Sequence, residues 1–371
     1  MSDYQDSSLP LGRVDRLQIP VLETIRKYQC LFMAPCLGEG PQSEQHQDEE
    51  DRGERLYGNN FTGHPIPISF VKGDEPNVGK GQGGRVYKAR ILNGHASFLQ
   101  NAQYTDDLSQ ELALKVGTFR RDADRESAFL KRLARHPHEH ITTFYTAFEY
   151  DTKLYFIAEL AEMDLESFMG NHPDREDIGD LDRNWFLTQL KGLANALVTI
   201  HDLMVIHHHA IKPANILVFK DPPAGVKHRM KFTDFGSSGN GISEGTDVSA
   251  KSGNNWTTPT LPPEAHGRKL SSRPRDVWSL GCVFLDLLIW YREGWEAVKK
   301  FRSETVSESS AWCYFDVKEG QNVLTGRVST ALRELAQNDG ELVNVIRGML
   351  EIDSSSRLKA ADVDERLKTI I

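Results

Sequence analysis

Little in this chain suits it to a membrane, a secretory route or a nucleic acid. Its longest strongly apolar run, Val283 to Tyr291, contains Asp286 and falls far short of the roughly 20 residues that a spanning helix requires. No bilayer span is expected. The N-terminus, Met1-Ser2-Asp3-Tyr4-Gln5-Asp6, has no basic segment followed by an apolar one, so secretion is not expected either. Basic charge is in deficit: 44 Lys+Arg against 53 Asp+Glu leave a formal net charge of −9 (44 − 53). A nucleic-acid partner bound through phosphate neutralisation needs a basic face and is not expected. Cysteine is scarce, and Cys30, Cys36, Cys282 and Cys313 form no C-x-x-C pair, which reads as reduced thiols in an intracellular protein, cytoplasmic or nuclear. There is no internal repeat and no run of Lys and Arg.

What is present is enough for a sizeable core. Hydrophobic residues make up 39% and charged residues 26% of 371 residues, and a chain of this length usually divides into two domains or lobes. Residues 39 to 54 (EGPQSEQHQDEEDRGE) hold no aliphatic or aromatic side chain and are read as a mobile acidic loop, unable to offset their own ordering entropy. Before it, Val21, Leu22, Ile25, Tyr28 and Gln29 recur at helical spacing and suggest a short arm packed on the main domain. From about residue 66 short alternating segments dominate, and from about 181 long helical ones. Strands first and helices later predict an α+β protein.

The run Val78-Gly79-Lys80-Gly81-Gln82-Gly83-Gly84-Arg85-Val86 contains G-x-G-x-x-G-x-V, a pattern that lets backbone approach a polyphosphate closely. A dinucleotide fold would continue into a helix. Here Arg85 to Ile91 alternates instead, with Tyr87, Ala89 and Ile91 on one face, so the glycines are placed in a strand-turn-strand hairpin. In Glu111-Leu112-Ala113-Leu114-Lys115-Val116 the two-residue period puts Ala113 and Lys115 on a common face. A lysine among apolar neighbours needs a partner. Eleven residues on, Glu126 begins a helical stripe through Leu130 and Leu133, and a Lys115–Glu126 ion pair would aim the ammonium at phosphates.

With these residues in place, the chain resembles a eukaryotic-type protein kinase over roughly residues 70 to 371. The motifs run in the family's order: the Gly-rich loop, Leu112-Ala113-Leu114-Lys115, Glu126, His208-His209-Ala210-Ile211-Lys212-Pro213-Ala214-Asn215, Asp234-Phe235-Gly236 and Pro262-Pro263-Glu264. The resemblance implies a bilobal fold: an arm over residues 1–65, a small antiparallel-sheet N-lobe with one key helix over 66–160, and a larger helical C-lobe over 161–371, with ATP in the cleft between lobes. It implies that Gly79, Gly81 and Gly84 cover the phosphates, that Val86, Ala113, Glu159, Ala161 and Leu217 surround the nucleotide with Lys115, and that Lys212 reaches the transferring phosphoryl group. Asn215 and Asp234 supply oxygen donors of the kind Mg²⁺ takes together with ATP phosphates. Lys212-Pro213-Ala214-Asn215 and Thr257, seven residues before Glu264, resemble the serine/threonine subclass, which implies a protein or peptide substrate. A small-molecule kinase of related fold fits Thr257 and Pro262-Pro263-Glu264 less well.

The departure from the family lies at Ala210, where the family has an Asp that orients and accepts a proton from the substrate hydroxyl. Alanine does neither, and such contributions amount to about 10² to 10⁴ in rate, or roughly 3 to 5.5 kcal/mol. Impaired transfer is expected. Either the chain is a natural pseudokinase, an ATP-binding scaffold or switch, or it is an active kinase carrying one alanine substitution; the retention of Lys115, Glu126, Asn215 and Asp234 favours the second. His209 replaces the arginine that docks a phosphorylated activation segment, so control by phosphorylation at Thr246, Ser249 or Ser252 is placed in doubt. The histidines His207, His208 and His209, and His136, His138 and His140, are not read as a zinc site, because ligands must converge and usually include Cys or carboxylate partners.

Supporting roles are also implied: Asp276 holding the catalytic-loop backbone, and Arg357 pairing with Glu264. Phe186, Leu190, Leu193, Leu197 and Ile200 form a core stripe. Ala158 stands at the usually larger gatekeeper position, which implies a deeper pocket accepting bulky N6-substituted ATP analogues. Asn93 to Gln110 reads as an inserted loop. Tyr28-Gln29 and Phe32-Met33-Ala34-Pro35 are similar to a segment preceding the Gly-rich loop in filamentous-fungal kinase-like proteins.

Overall fold

The computed structural model describes residues 68–70, 77–81, 84–91, 111–117, 133, 136–150, 153–173, 182–203, 206–220, 228–235, 239–240, 259–266, 273–305 and 313–371. The arm, the acidic loop, the insertion 93–110, Glu126, Thr246, Ser249, Ser252 and Thr257 lie outside them. Two compact units are present, one of residues 1–134 and 143–160, the other of 135–142 and 161–371.

Alternation builds the first unit. Strands β1 (Ile68–Phe70), β2 (Asn77–Gly81), β3 (Gly84–Ile91), β4 (Glu111–Gly117), β5 (Phe144–Tyr150) and β6 (Lys153–Glu159) form an antiparallel sheet in the order β1-β3-β4-β6-β5, with β2 paired to β3. Leu112 and Leu114 are buried while Ala113 and Lys115 are half-buried, the two-residue period of a pleated strand. Ala89, Ile91, Leu112, Leu114, Phe148 and Ile157 make the apolar cluster on one face, with Tyr145, Tyr150 and Tyr155 packed around it. At the sheet's end, Lys88 and Arg90 both pair with Glu111, whose carboxyl is held below its ordinary value by the Lys88 hydrogen bond first.

The second unit is helical with small sheets. In chain order it has β7 (Met163–Asp164), α1 (Leu165–Asn171), α2 (Arg183–Val198), β8 (Ile206–His207), β9 (Ile216–Lys220), β10 (His228–Phe232), β11 (Gly239–Asn240), α3 (Pro263–His266), α4 (Arg273–Glu293), α5 (Trp295–Glu304), β12 (Phe315–Lys318), β13 (Gln321–Leu324), α6 (Gly326–Met349) and α7 (Ala360–Lys368). Strands β10, β9 and β7 pair in that order, β11 pairs with β8, and β12 with β13. Asp182 caps α2, its carboxylate accepting the Trp185 N–H at 2.7 Å, which satisfies a donor the helix itself leaves open. The core stripe Phe186, Leu190, Leu193 and Leu197 is buried as expected; Ile200 is buried too but lies in a π-helical turn, Thr199–Leu203, that continues α2.

Helix α4 is buried without interruption from Asp276 to Trp290. Its interior acid, Asp286, accepts from Tyr314 Oη at 2.6 Å and from Arg302 Nη2 at 2.7 Å, the pairing that a buried carboxylate requires. Among the described residues, no helix is long and apolar enough to cross a membrane.

Candidate active site

In the first unit, cross-strand register gathers several of the expected nucleotide-site residues on one sheet face. Val86 is opposite Lys115, Lys115 opposite Phe156, and Ala113 opposite Ala158; directly paired residues share a face, so Val86, Ala113, Lys115, Phe156 and Ala158 line the side away from the leucine cluster. The glycines belong to the hairpin of β2 and β3, with Gly79 paired to Val86, Gly81 to Gly84, and an irregular register between Asn77 and Gly79. Glu159 falls on the opposite face by its pairing with Leu112, and its Oε1 accepts the Thr143 N–H at 2.6 Å. Its backbone N–H donates to the Thr143 carbonyl at 3.0 Å.

In the second unit, the segment His207 to Asn215 is held from several directions. The Asp276 carboxylate accepts the backbone N–H of His208 through Oδ2 and that of His209 through Oδ1, both at 2.8 Å, and His201 Nε2 lies 3.0 Å from Oδ2. Arg275 Nη2 donates to the His209 carbonyl at 3.3 Å. These bonds hold His209 at a φ of 61°, a conformation that costs a non-glycine residue and persists only where neighbours over-determine it. Thr260 Oγ1 donates to the Ile211 carbonyl at 3.0 Å, and the Thr260 carbonyl in turn accepts Ser279 Oγ at 2.9 Å.

His208 is fully buried. Its Nδ1 accepts the Ala210 N–H at 3.4 Å, so Nε2 carries the proton and donates to the Thr233 carbonyl at 3.0 Å. Its ring lies 4.7 Å from that of Phe235 and 5.6 Å from that of Phe232. Burial pushes its pKa, and that of His209, down; His209 is therefore no cationic substitute for an arginine near neutral pH. Asp276 stays ionised: burial alone would raise its pKa, but the His201 hydrogen bond and the surrounding histidines take it below the usual carboxylate range.

The residues expected to hold metal stand at one end of a hairpin. Asn215 directly precedes β9, and Asp234 follows β10 by two residues, where Ile216 pairs with Phe232. The Thr233 N–H donates to the Asn215 carbonyl at 3.1 Å, tying the two positions together, and Asp234 takes a φ of 59°. Asn215 Nδ2 donates to the Ala210 carbonyl at 2.8 Å. Lys212 is half-buried in the same loop, with its carbonyl accepting the Asn215 N–H at 2.9 Å. Leu217 is on β9, opposite Lys231 and Asp164; Ala161 begins the run into β7. Ala210 sits in the middle of this arrangement, half-buried, with a methyl group as its whole side chain.

The expected Arg357–Glu264 pair is present and bidentate, Nη1 to Oε1 at 2.7 Å and Nη2 to Oε2 at 3.0 Å; Arg357 also donates to the carbonyls of Glu351 and Pro274 and lies over the Trp278 ring. His201, Thr260 and Arg275 went unnoticed in the sequence. Their partners lie 49 to 75 residues away, and a lone buried histidine or threonine carries no spacing signal.

Over residues 73–366 the chain matches the protein kinase domain family, and it belongs to that family. Its fold is accordingly the α+β bilobal kinase fold, with an antiparallel-sheet N-lobe and a helical C-lobe. The chain is similar to Aurora kinase C of Mus musculus, with 28% identity over 233 residues, 62% of this chain and 72% of the relative. It is also similar to cyclin-dependent kinase 8 of Caenorhabditis elegans, 28% identical over 228 residues, 59% of this chain and 36% of the relative. A probable serine/threonine-protein kinase KIN28 homolog of Encephalitozoon cuniculi (strain GB-M1) is 29% identical over 160 residues, 43% of this chain and 46% of the relative. The chain thus spans less than half the length of the latter two.

Proposed function

We propose that the chain is a protein serine/threonine kinase, dependent on Mg²⁺ and ATP, whose transfer step is impaired because Ala210 occupies the position of the catalytic acid. The observation that carries this reading is the loop around residue 210: its carbonyl is held by Asn215 Nδ2 at 2.8 Å and its N–H by His208, so the backbone that would aim a carboxylate is kept while the carboxylate is missing. The serine/threonine assignment rests on Lys212-Pro213-Ala214-Asn215 and Thr257, and on a relative named as a probable serine/threonine-protein kinase.

The donor chemistry fits the cofactors. Asn215 commits its amide nitrogen to Ala210, leaving Oδ1 as an oxygen donor, and Asp234 adds a carboxylate; hard oxygens suit Mg²⁺. When bound, Mg-ATP supplies the phosphoryl group and the metal charge that offsets its oxygens. Gly79, Gly81 and Gly84 present backbone without side chains to phosphates. Val86 and Ala113, beside Ala158, offer an apolar surface to the base, with the backbones of Glu159 and Ala161 for its polar edge and Leu217 for its other face. Lys115 orients phosphates with Glu126 as its partner, Lys212 spreads charge on the transferring group, and Thr257 positions the peptide. Alanine at 210 leaves the substrate hydroxyl with no group to orient it or take its proton.

The second reading, a noncatalytic ATP-binding scaffold or switch, is favoured by the same Ala210. Both readings require nucleotide binding. ATP titrated calorimetrically with and without Mg²⁺ is expected to bind more tightly with the metal, and Asp234→Ala to lose that gain; a chain that binds no ATP under either condition contradicts both. The two readings separate on Ala210→Asp, which restores transfer only in a kinase disabled at that residue.

A further inference from the structure

We propose that His201, His207 and Asp276 form a buried site for a divalent, imidazole-seeking metal ion, with Zn²⁺ as the fitting ion. The proposal stands apart from the nucleotide reading, since none of the three residues is assigned there to ATP or Mg²⁺. One ligand atom from each residue lies within 4.8 Å of the others, and all three are shielded: His201 is 2%, His207 5% and Asp276 0% exposed. The two rings are 6.0 Å apart and inclined at 57°.

A second observation points to a ligand. His207 Nδ1 is buried and has no hydrogen-bond partner, whereas the neighbouring His208 uses both ring nitrogens. An unpaired buried polar nitrogen is costly, and a metal would supply the missing partner.

The surroundings are those of a metal site. Asp276 is fixed by the His208 and His209 N–H groups, the kind of outer support that orients a ligating carboxylate. Donors in a tetrahedral zinc site are about 3.4 Å apart, given metal–ligand bonds of about 2.0 to 2.2 Å, so closure from the observed spacing needs side-chain shifts of roughly 1 Å. Two imidazoles and a single carboxylate select zinc-like ions over Mg²⁺ or Ca²⁺, which take oxygen sets. Binding replaces the hydrogen bond between His201 Nε2 and Asp276 Oδ2 with coordinate bonds, the His201 proton then residing on Nδ1, and nothing is oxidised or reduced. Arg273 and Arg275, which hold the carbonyls of His201 and His209, oppose added positive charge and set the site's strength below that of a site without cations nearby. Since His207 directly precedes His208-His209-Ala210, a bound ion would join the π-helical turn Thr199–Leu203, the segment from His207 to Asn215 and the first turn of α4.

The test uses the untagged full chain, stripped with a chelator and returned to metal-free buffer. Zn²⁺ titration is expected to give one equivalent bound, with a raised melting temperature, and Co²⁺ to give the absorption of a tetrahedral nitrogen and oxygen site. His207→Leu is expected to weaken Zn²⁺ binding by more than about 100-fold, beyond the usual effect of losing an outer partner, without lowering the metal-free melting temperature. No stoichiometric uptake, equal uptake by His207→Leu, or displacement of the zinc by excess Mg²⁺ would overturn the proposal. If His207→Leu does not fold, X-ray absorption of the zinc-loaded parent decides: two imidazoles in the first shell support the site, and fewer than two, or any thiolate, refute it.

Discussion

On one side of the segment from His207 to Asn215, the Asp276 carboxylate receives two backbone N–H groups at 2.8 Å and faces His201 at 3.0 Å; on the other, residue 210 offers a methyl group. The anchored side retains its parts: Thr260 on the Ile211 carbonyl, Arg275 on that of His209, Asn215 on that of Ala210. On the proposed reading, the other side lacks one carboxylate. On that reading a loop's shape and its chemistry are stored in different residues, the shape in buried partners from distant elements and the chemistry in one side chain. Loss of the second need not disturb the first, and a folded, family-typical loop is no evidence of catalysis.

If that separation is right, damage to the anchored side should be felt throughout. Asp276→Ala strands the His208 and His209 N–H groups and should cost about 3 to 5 kcal/mol, measured by denaturant unfolding; a cost below about 1 kcal/mol would mean that the loop keeps its shape without the carboxylate. Next comes acid. Burial first, with Arg229 and Lys231 acting in the same sense, brings the His140 pKa down to about 4, although its Nδ1 lies 2.7 Å from the Met230 carbonyl. The unfolded chain binds this proton near pH 6.5, so it takes up more protons than the folded chain between the two values. Stability from His140 is complete above about pH 6.5 and falls as the pH drops towards 4, by roughly 3 kcal/mol. Flat stability over that window contradicts the neutral, buried state.

Smaller effects are expected away from the loop. A Cβ at Gly192 would collide with the His140 ring, so Gly192→Ala should cost about 1 to 3 kcal/mol by overpacking, read from the same unfolding curves. Asp182→Ala removes the cap of α2 and should cost about 1 kcal/mol with no change in nucleotide affinity. A change in ATP binding there would show that the loop responds to distant damage.

Periodicity made much of this visible beforehand. Leu112 and Leu114 announce a buried strand face and thereby place Lys115 opposite it; the spacing of Phe186, Leu190, Leu193 and Leu197 announces α2. The resemblance to the kinase family supplied what periodicity does not carry, namely that Asp276 and Arg357 reach back to elements far away in the chain. What neither revealed are contacts set by tertiary approach alone. His201 meets Asp276 across 75 residues, and Gly192 gives no sign that an imidazole will press against it. The histidine run at 207–209 shows the limit of spacing arguments, for convergence with a carboxylate exists only in three dimensions.

The central claim, an intact loop lacking one acid, is tested most directly by γ-phosphate transfer from Mg-ATP to a mixed serine/threonine substrate, comparing this chain with Ala210→Asp at matched ATP occupancy. The account predicts a gain of about 10² to 10⁴ in rate for the variant, with a melting temperature close to that of the parent. Equal ATP occupancy with no transfer by either protein would contradict it and leave a scaffold in place of the enzyme.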